Sequence, residues 1–166
     1  MNIRKSLVTY TREEALGYHA NNFGGGGKIE VISKVPTQDV KDLTLAYSPG
    51  VAEVCREIAR APERIHDYTI KDNLVAVVTD GSAILGLGNI GPRAGIPVME
   101  GKCVLFKNLA GVDAFPIVLG TQDSEQIVTI VRNLEPIFGG INLEDIAAPP
   151  LGPCLHFSRE ALEDWD

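Results

Sequence analysis

The sequence lacks any apolar run long enough to cross a bilayer, and no apolar core follows the basic residues near its N-terminus. A membrane-spanning helix needs about 20 consecutive, mostly apolar residues. A secretory signal needs an apolar stretch directly after its basic residues. Both absences favour a cytoplasmic protein that has no membrane partner.

Cysteine and positive charge are also scarce. Cys55, Cys103 and Cys154 are scattered, odd in number and without zinc-type spacing, which argues against a disulfide framework and favours reduced thiols. Fifteen Lys and Arg residues stand against 22 Asp and Glu residues, for a formal net charge of −7. A nucleic-acid partner requires a basic footprint, so this charge argues against one.

Strand and helix patterns alternate along most of the 166 residues, a length that suits one domain with a sizeable core. This alternation predicts an α/β fold with a mixed or parallel sheet flanked by helices, preceded by an N-terminal helix. The predicted elements are a helix over 11–20, a strand over 74–78, a helix over 92–107, a strand over 113–120, a helix from a capping box at 123–126 to 134, and a strand over 137–143.

Three further local predictions follow from turn and capping residues. Asp80-Gly81 between two apolar runs suggests a hairpin, because glycine accepts the positive φ of a tight turn. The alternation of polar and apolar residues over 28–35 predicts a half-exposed strand. Ser48 is predicted to cap a helix whose first residue is Pro49 and which ends near Arg60.

The glycines Gly86, Gly88 and Gly91 match the letters of a dinucleotide-binding turn. That turn also needs an acidic residue at the end of the following strand, to hold the ribose hydroxyls. Asp113 instead lies at the beginning of its strand, at the opposite end of the sheet. The pattern is therefore interpreted as a tight packing turn, with nucleotide binding as the alternative.

Four side chains are of types that could carry chemistry. Glu144 and Asp145 follow a predicted strand, and two carboxylates suit Mg²⁺ or Mn²⁺ if the strand ends or bends there and a third ligand comes from elsewhere. Lys102 lies among apolar residues and could act as a base if desolvation or a nearby cation made its free amine accessible. Tyr47 precedes a predicted helix start, although by local criteria it is more often a packed core tyrosine.

Between about Lys28 and Pro149 the sequence resembles the N-terminal domain of bacterial-type malic enzymes. The resemblance rests on the segments KIEVISKVP, DLTLAYSPGVAEVCREIA, NLVAVVTDGSAILGLGNIGP, GIPVMEGKCVLFK, GVDAFPI and FGGINLEDIAAP. That family converts malate to pyruvate and CO₂ with NAD or NADP and Mg²⁺ or Mn²⁺. The resemblance implies that Tyr47 is the general acid, Lys102 the general base, and Glu144 and Asp145 metal ligands. It also implies that the GLGNIG turn is not the cofactor site.

The resemblance also implies a domain organisation and partners. Residues 1–150 are expected to form the malic enzyme N-terminal domain, while 151–166 resemble nothing in the family. The NAD(P)-binding domain is expected to be absent from this chain, which should then oxidise malate poorly by itself.

Ser82-Ala83 stand where some members carry a substrate-binding arginine. Malate or pyruvate is the expected substrate and a homodimer the expected assembly; the alternative is a non-catalytic dimerisation or decoy module.

Overall fold

The computed structural model of the chain describes residues 9–20 and 26–147. Its helices and strands are, in chain order, α1 (Arg12–Ala20), α2 (Val40–Ala46), α3 (Val51–Arg60), α4 (Ile65–Tyr68), β1 (Leu74–Thr79), α5 (Pro92–Leu105), β2 (Asp113–Val118), α6 (Ser124–Leu134) and β3 (Gly140–Leu143). Short 3₁₀ turns flank α4, and a π-helical turn over Phe106–Ala110 follows α5. The tail prediction for 151–166 lies outside the described residues.

The three strands form one parallel sheet in the order β2-β1-β3. This confirms the predicted parallel sheet, and it places β2, which contains Pro116, at an edge as proline requires. The hairpin predicted across Asp80-Gly81 is wrong. Both edges of β1 are already paired, so the chain turns away at Gly81 and forms only an isolated bridge between Ile84 and Gly88.

The sheet buries an apolar core on each face because successive side chains of a strand point to opposite sides. On one face Val77 packs with residues of α5 and of the loop before it; on the other, Ala76 and Val78 pack with residues of α6. The buried residues are Val77, Ile84, Met99 and Cys103 on the α5 side and Ala76, Val78, Leu119, Ile127, Val131 and Phe138 on the α6 side. The two crossover helices therefore cover opposite faces.

The N-terminal helices contribute little to these cores. The capping box of α1 is confirmed, because Thr11 Oγ1 accepts from the Glu14 N–H and the Glu14 carboxylate accepts from the Thr11 N–H. Helices α1, α2 and α3 contain no buried residue. The strand predicted over 28–35 is wrong: the segment has no strand neighbour in the described part of the chain, and Val31 is 84% exposed.

The start of α3 also differs from its prediction. Ser48 and Pro49 lie in the turn between α2 and α3, and the N-cap is Gly50, which has no capping side chain. A Cβ at Gly50 would lie 2.5 Å from the Thr44 carbonyl oxygen, so a glycine is required at this corner. None of the described helices is long and apolar enough to span a membrane.

Candidate active site

Lys102 and Glu144, far apart in sequence, form an ion pair of 2.9 Å between Lys102 Nζ and Glu144 Oε2. Lys102 lies on α5, next in sequence to the buried Cys103, and its side chain is 33% exposed. Glu144 directly follows β3, and its N–H still bonds the Val78 carbonyl of β1. The carboxyl end of the sheet therefore brings the predicted base and one predicted metal ligand together.

Glu144 is held as a carboxylate by its surroundings. Its burial alone would raise its pKa, but hydrogen bonds from Asn142 and Lys102, together with the charge of Lys102, outweigh that effect and lower the pKa. The Asn142 side chain donates to Glu144 Oε2 at 2.9 Å, the oxygen that also contacts Lys102. Within residues 9–20 and 26–147 the other oxygen, Oε1, has no hydrogen-bond partner.

Asp145 lies where the strand has ended and the chain bends. Its φ of +53° is in the left-handed region, which is uncommon for a residue other than glycine. Its carbonyl oxygen accepts from the Ala83 N–H at 3.0 Å, and its carboxylate accepts weakly from the Leu85 N–H at 3.4 Å. The bend meets the geometric condition under which neighbouring carboxylates can serve one ion.

A divalent cation fits these residues in part. Glu144 and Asp145 supply carboxylate oxygens of the kind that Mg²⁺ and Mn²⁺ prefer, and Glu144 Oε1 is not engaged elsewhere in the described chain. The described residues contain no cluster of three or more His, Cys, Asp or Glu side chains suited to a metal. A complete coordination shell would therefore need further ligands from water, substrate or protein outside the described residues.

Tyr47 shares no hydrogen bond with the Lys102–Glu144 pair within the described part of the chain. It ends α2, where its N–H bonds the Leu43 carbonyl, and its own carbonyl accepts from the Val51 N–H. The residue is 76% exposed, and its hydroxyl has no hydrogen-bond partner in the described residues. The interpretation of Tyr47 as a packed core tyrosine is therefore wrong; the structure leaves its ring open to solvent.

The glycine-rich loop before α5 has the backbone of a tight turn. Gly86, Gly88 and Gly91 all have positive φ, and Pro92 begins the helix without an N–H to offer a phosphate. Asp113 begins β2 at the opposite end of the sheet, where its carboxylate pairs with Lys107 at 2.7 Å. The positive φ values agree with a tight turn, but a Cβ at any of these three glycines would meet no atom within 4 Å, so close packing does not require them.

Contacts between three residue pairs at the carboxyl end of the sheet were not predicted from the sequence. Asp80 is 2% exposed and accepts hydrogen bonds from the Ser82 N–H and hydroxyl, while Ser82 Oγ accepts from the Ala147 N–H at 2.7 Å. Asn142 contacts Glu144 from within β3. A polar residue inside an otherwise apolar strand was the available signal, since asparagine is depleted in strands.

Comparison with known proteins agrees with the resemblance in the sequence. The family model described as "Malic enzyme, N-terminal domain" matches residues 26–127. A bifunctional malic/malolactic enzyme of Bacillus subtilis is 63% identical over 138 residues, covering 83% of this chain and 33% of the relative. An NAD-dependent malic enzyme of Geobacillus stearothermophilus is 55% identical, covering 85% of this chain and 29% of the relative.

A crystal structure of malic enzyme from Pyrococcus horikoshii superimposes with a TM-score of 0.87 at 58% identity, covering 92% of this chain and 35% of that one. The chain thus spans about a third of the length of the proteins it matches. The chain belongs to the malic enzyme family, whose N-terminal domain it contains.

Proposed function

We propose that this chain supplies the acid–base and metal-binding side of a malic enzyme active site. The reaction is the oxidative decarboxylation of malate to pyruvate and CO₂ with NAD or NADP and Mg²⁺ or Mn²⁺. The observation that carries the proposal is the 2.9 Å contact between Lys102 and Glu144, which joins two motifs of the family at one end of the sheet. The nicotinamide site is proposed to lie outside residues 1–150.

Lys102 is proposed to accept the hydroxyl proton of malate. Its side chain is 33% exposed, so the amine is reachable by a small substrate. Proton transfer requires the neutral amine, so Lys102 must leave the ion pair and lose its proton before it acts. Glu144 then serves as the group that holds Lys102 in place between turnovers.

Glu144 and Asp145 are proposed to hold the divalent cation. Such a cation, when bound, supplies Lewis-acid polarisation of substrate oxygens. The support is the bend at Asp145, with its φ of +53°, and the Glu144 oxygen that no described residue occupies. The proposal requires that water, substrate or a part of the protein outside the described residues complete the set of ligands.

Tyr47 is proposed to return a proton to C3 of the enol. A phenol has a reference pKa of about 10 and keeps its proton at neutral pH until a carbanion takes it. The support is the resemblance of LAYSPG and the exposure of the ring, which leaves its hydroxyl available. The exposed apolar side chains between Val31 and Tyr47 support the further proposal that the protein acts as a homodimer.

A cytoplasmic location is also proposed. Among the described residues, Cys55 and Cys103 are free thiols, which is the usual state in a reducing compartment.

The proposal can be tested by a partial reaction that needs no nicotinamide. In deuterated buffer with Mn²⁺, the chain should exchange the methyl protons of pyruvate, followed by NMR. Lys102→Ala should lower the rate by at least about a hundredfold, the scale of general acid–base catalysis. Lys107→Ala is the matched control, because Lys107 pairs with Asp113 and not with Glu144.

A Lys102→Ala rate equal to that of the unaltered chain would refute the assignment of Lys102. No exchange by the unaltered chain, together with tight self-association and no Mn²⁺ binding, would instead support the dimerisation or decoy module.

A further inference from the structure

Asn142 is a polar residue in a strand whose neighbours are apolar. Ile141 and Leu143 pack against the core on the α6 side of the sheet. Side chains alternate along a strand, so Asn142 lies on the opposite face, the one that α5 covers. Glu144 continues the same alternation, and Lys102 of α5 reaches it there. None of the proton transfers proposed above uses Asn142.

Asn142 and Lys102 contact the same oxygen of the Glu144 carboxylate. Asn142 Nδ2 donates to Oε2 at 2.9 Å, and Lys102 Nζ contacts the same oxygen at 2.9 Å. An ammonium group and an amide N–H can only donate, so both contacts draw on the lone pairs of one oxygen. The second oxygen, Oε1, is left without a partner among residues 9–20 and 26–147.

A glutamate carboxylate without this constraint would not hold its plane in one orientation. The last torsion of a glutamate side chain is broad, so the carboxylate can turn at little cost and neither oxygen is kept pointing in a fixed direction. Lys102 alone could follow either oxygen or lie between them. A donor fixed on β3 removes that freedom, because its backbone is held by the sheet, where Asn142 lies opposite Val77 of β1.

We propose that Asn142 is a positioning residue, which fixes the Glu144 carboxylate so that Lys102 and a divalent cation use different oxygens. The inference rests on the proposed function in one respect, namely that Glu144 binds the cation. Asn142 itself touches neither substrate nor cation in this proposal; it acts through Glu144. Partners that orient a metal ligand in this way typically contribute about ten- to a hundredfold to metal affinity or activity.

The test measures binding of Mn²⁺ alone, by electron paramagnetic resonance of the free ion, to the purified chain. Asn142→Leu keeps the approximate volume and removes the donor; its Kd for Mn²⁺ should rise about ten- to a hundredfold. Asn142→Gln retains an amide donor on a longer stem and should recover part of that loss. Asn133→Leu is the matched control, since Asn133 bonds only the Thr129 carbonyl on α6 among the described residues, and its Kd should not change.

Glu144→Gln separates the two proposals. If Glu144→Gln weakens Mn²⁺ binding while Asn142→Leu binds within about twofold of the unaltered chain, the positioning role is overturned and the proposed function stands. If Glu144→Gln binds Mn²⁺ normally, the cation is not held by Glu144, and the positioning role and the metal-binding part of the proposed function both fail.

A loss of affinity in Asn142→Leu could also come from poor folding. Asn142→Ala, which adds no bulk, gives a second measurement of the same quantity, and circular dichroism establishes that each variant is folded. A folded Asn142→Ala with unchanged Mn²⁺ affinity would overturn the inference. A loss common to both folded variants and partly recovered by Asn142→Gln would support it.

Discussion

Replacement of Lys71 by methionine should destabilise the chain more than the same replacement of a surface lysine such as Lys107. Lys71 is only 4% exposed and lies just before β1. Its ammonium group donates to the Glu135 carboxylate at 2.8 Å and to the Phe138 carbonyl oxygen at 3.1 Å, and it also donates to the Glu135 carbonyl oxygen. These bonds join the start of the central strand to the turn between α6 and β3.

The expected loss can be worked out from these contacts. Breaking a fully buried pair by removing one partner costs about 3–5 kcal/mol. Two effects reduce that figure for Lys71→Met: the desolvation of the ammonium group disappears, and Glu135 is 37% exposed, so its carboxylate can regain water. The Phe138 carbonyl, however, belongs to a residue only 5% exposed and loses a charged donor, at a cost of about 1.5–3 kcal/mol. We expect a net loss of about 2–3 kcal/mol.

Urea unfolding followed by circular dichroism measures this loss. Lys107→Met is the matched control, because Lys107 pairs with Asp113 at 2.7 Å but is 57% exposed, and it should cost less than about 1 kcal/mol. Glu135→Gln should also cost about 1 kcal/mol or less, since its amide oxygen can still accept from Lys71. If Lys71→Met costs no more than Lys107→Met, the buried ammonium does not stabilise this junction and the reasoning fails.

Two further predictions concern titratable groups. In a Cys154→Ser variant at pH 8, Cys55 should react quickly with Ellman's reagent and Cys103 only after unfolding, because burial raises the pKa of Cys103 to about 11; two equally fast thiols would contradict this. The hydrogen bond from Lys107 holds the pKa of Asp113 below its ordinary value. The ionised Asp113 therefore stabilises the fold fully above the unfolded pKa of about 3.9, and this stabilisation is lost as pH falls through the lower pKa of the folded state. Between about pH 5 and pH 2, the Asp113→Asn variant should therefore lose less stability than the unaltered chain. The difference between the two losses should be below about 1 kcal/mol, measured by urea unfolding at each pH.

The local predictions that succeeded depend on contacts within a few residues. The capping box of α1 was found correctly because Thr11 and Glu14 satisfy each other's backbone N–H groups without help from elsewhere. The helix over 124–134 was found because Ile127 and Val131 lie one turn apart and are both buried. Such patterns are visible in the sequence, since their partners are their near neighbours.

The local predictions that failed needed information from other parts of the chain. The segment over 28–35 has the alternation of a strand, but a strand requires a neighbouring backbone, and the described residues give it none. Asp80-Gly81 matches the sequence pattern of a hairpin turn, but β2 and β3 occupy both edges of β1, so no edge remains for a second hairpin strand. The cap expected at Ser48 lies instead at Gly50, in a corner where the backbone packs so closely on the Thr44 carbonyl that only glycine fits.

The candidate site divides in the same way. The residue types Lys102, Glu144 and Asp145 and their family motifs were evident from the sequence, as was the requirement that the chain bend after β3. That Lys102 and Glu144 meet at 2.9 Å could not be read from the sequence, because it depends on how α5 crosses the sheet next to β3. The contact between Asn142 and Glu144 could not be predicted either, because it depends on which face of β3 Asn142 occupies.

The sequence by itself therefore determined the family, the order of β1, α5, β2, α6 and β3, and the chemical types available for catalysis. These follow from periodicity, turn residues and long motifs, all of which are properties of neighbouring positions. Only the tertiary structure decided which groups lie together at the carboxyl end of the sheet and which oxygen of Glu144 is left open. The physical reason is that parallel strands are paired through long crossovers, so contacts between α5 and the end of β3 are fixed by packing on the two faces of the sheet.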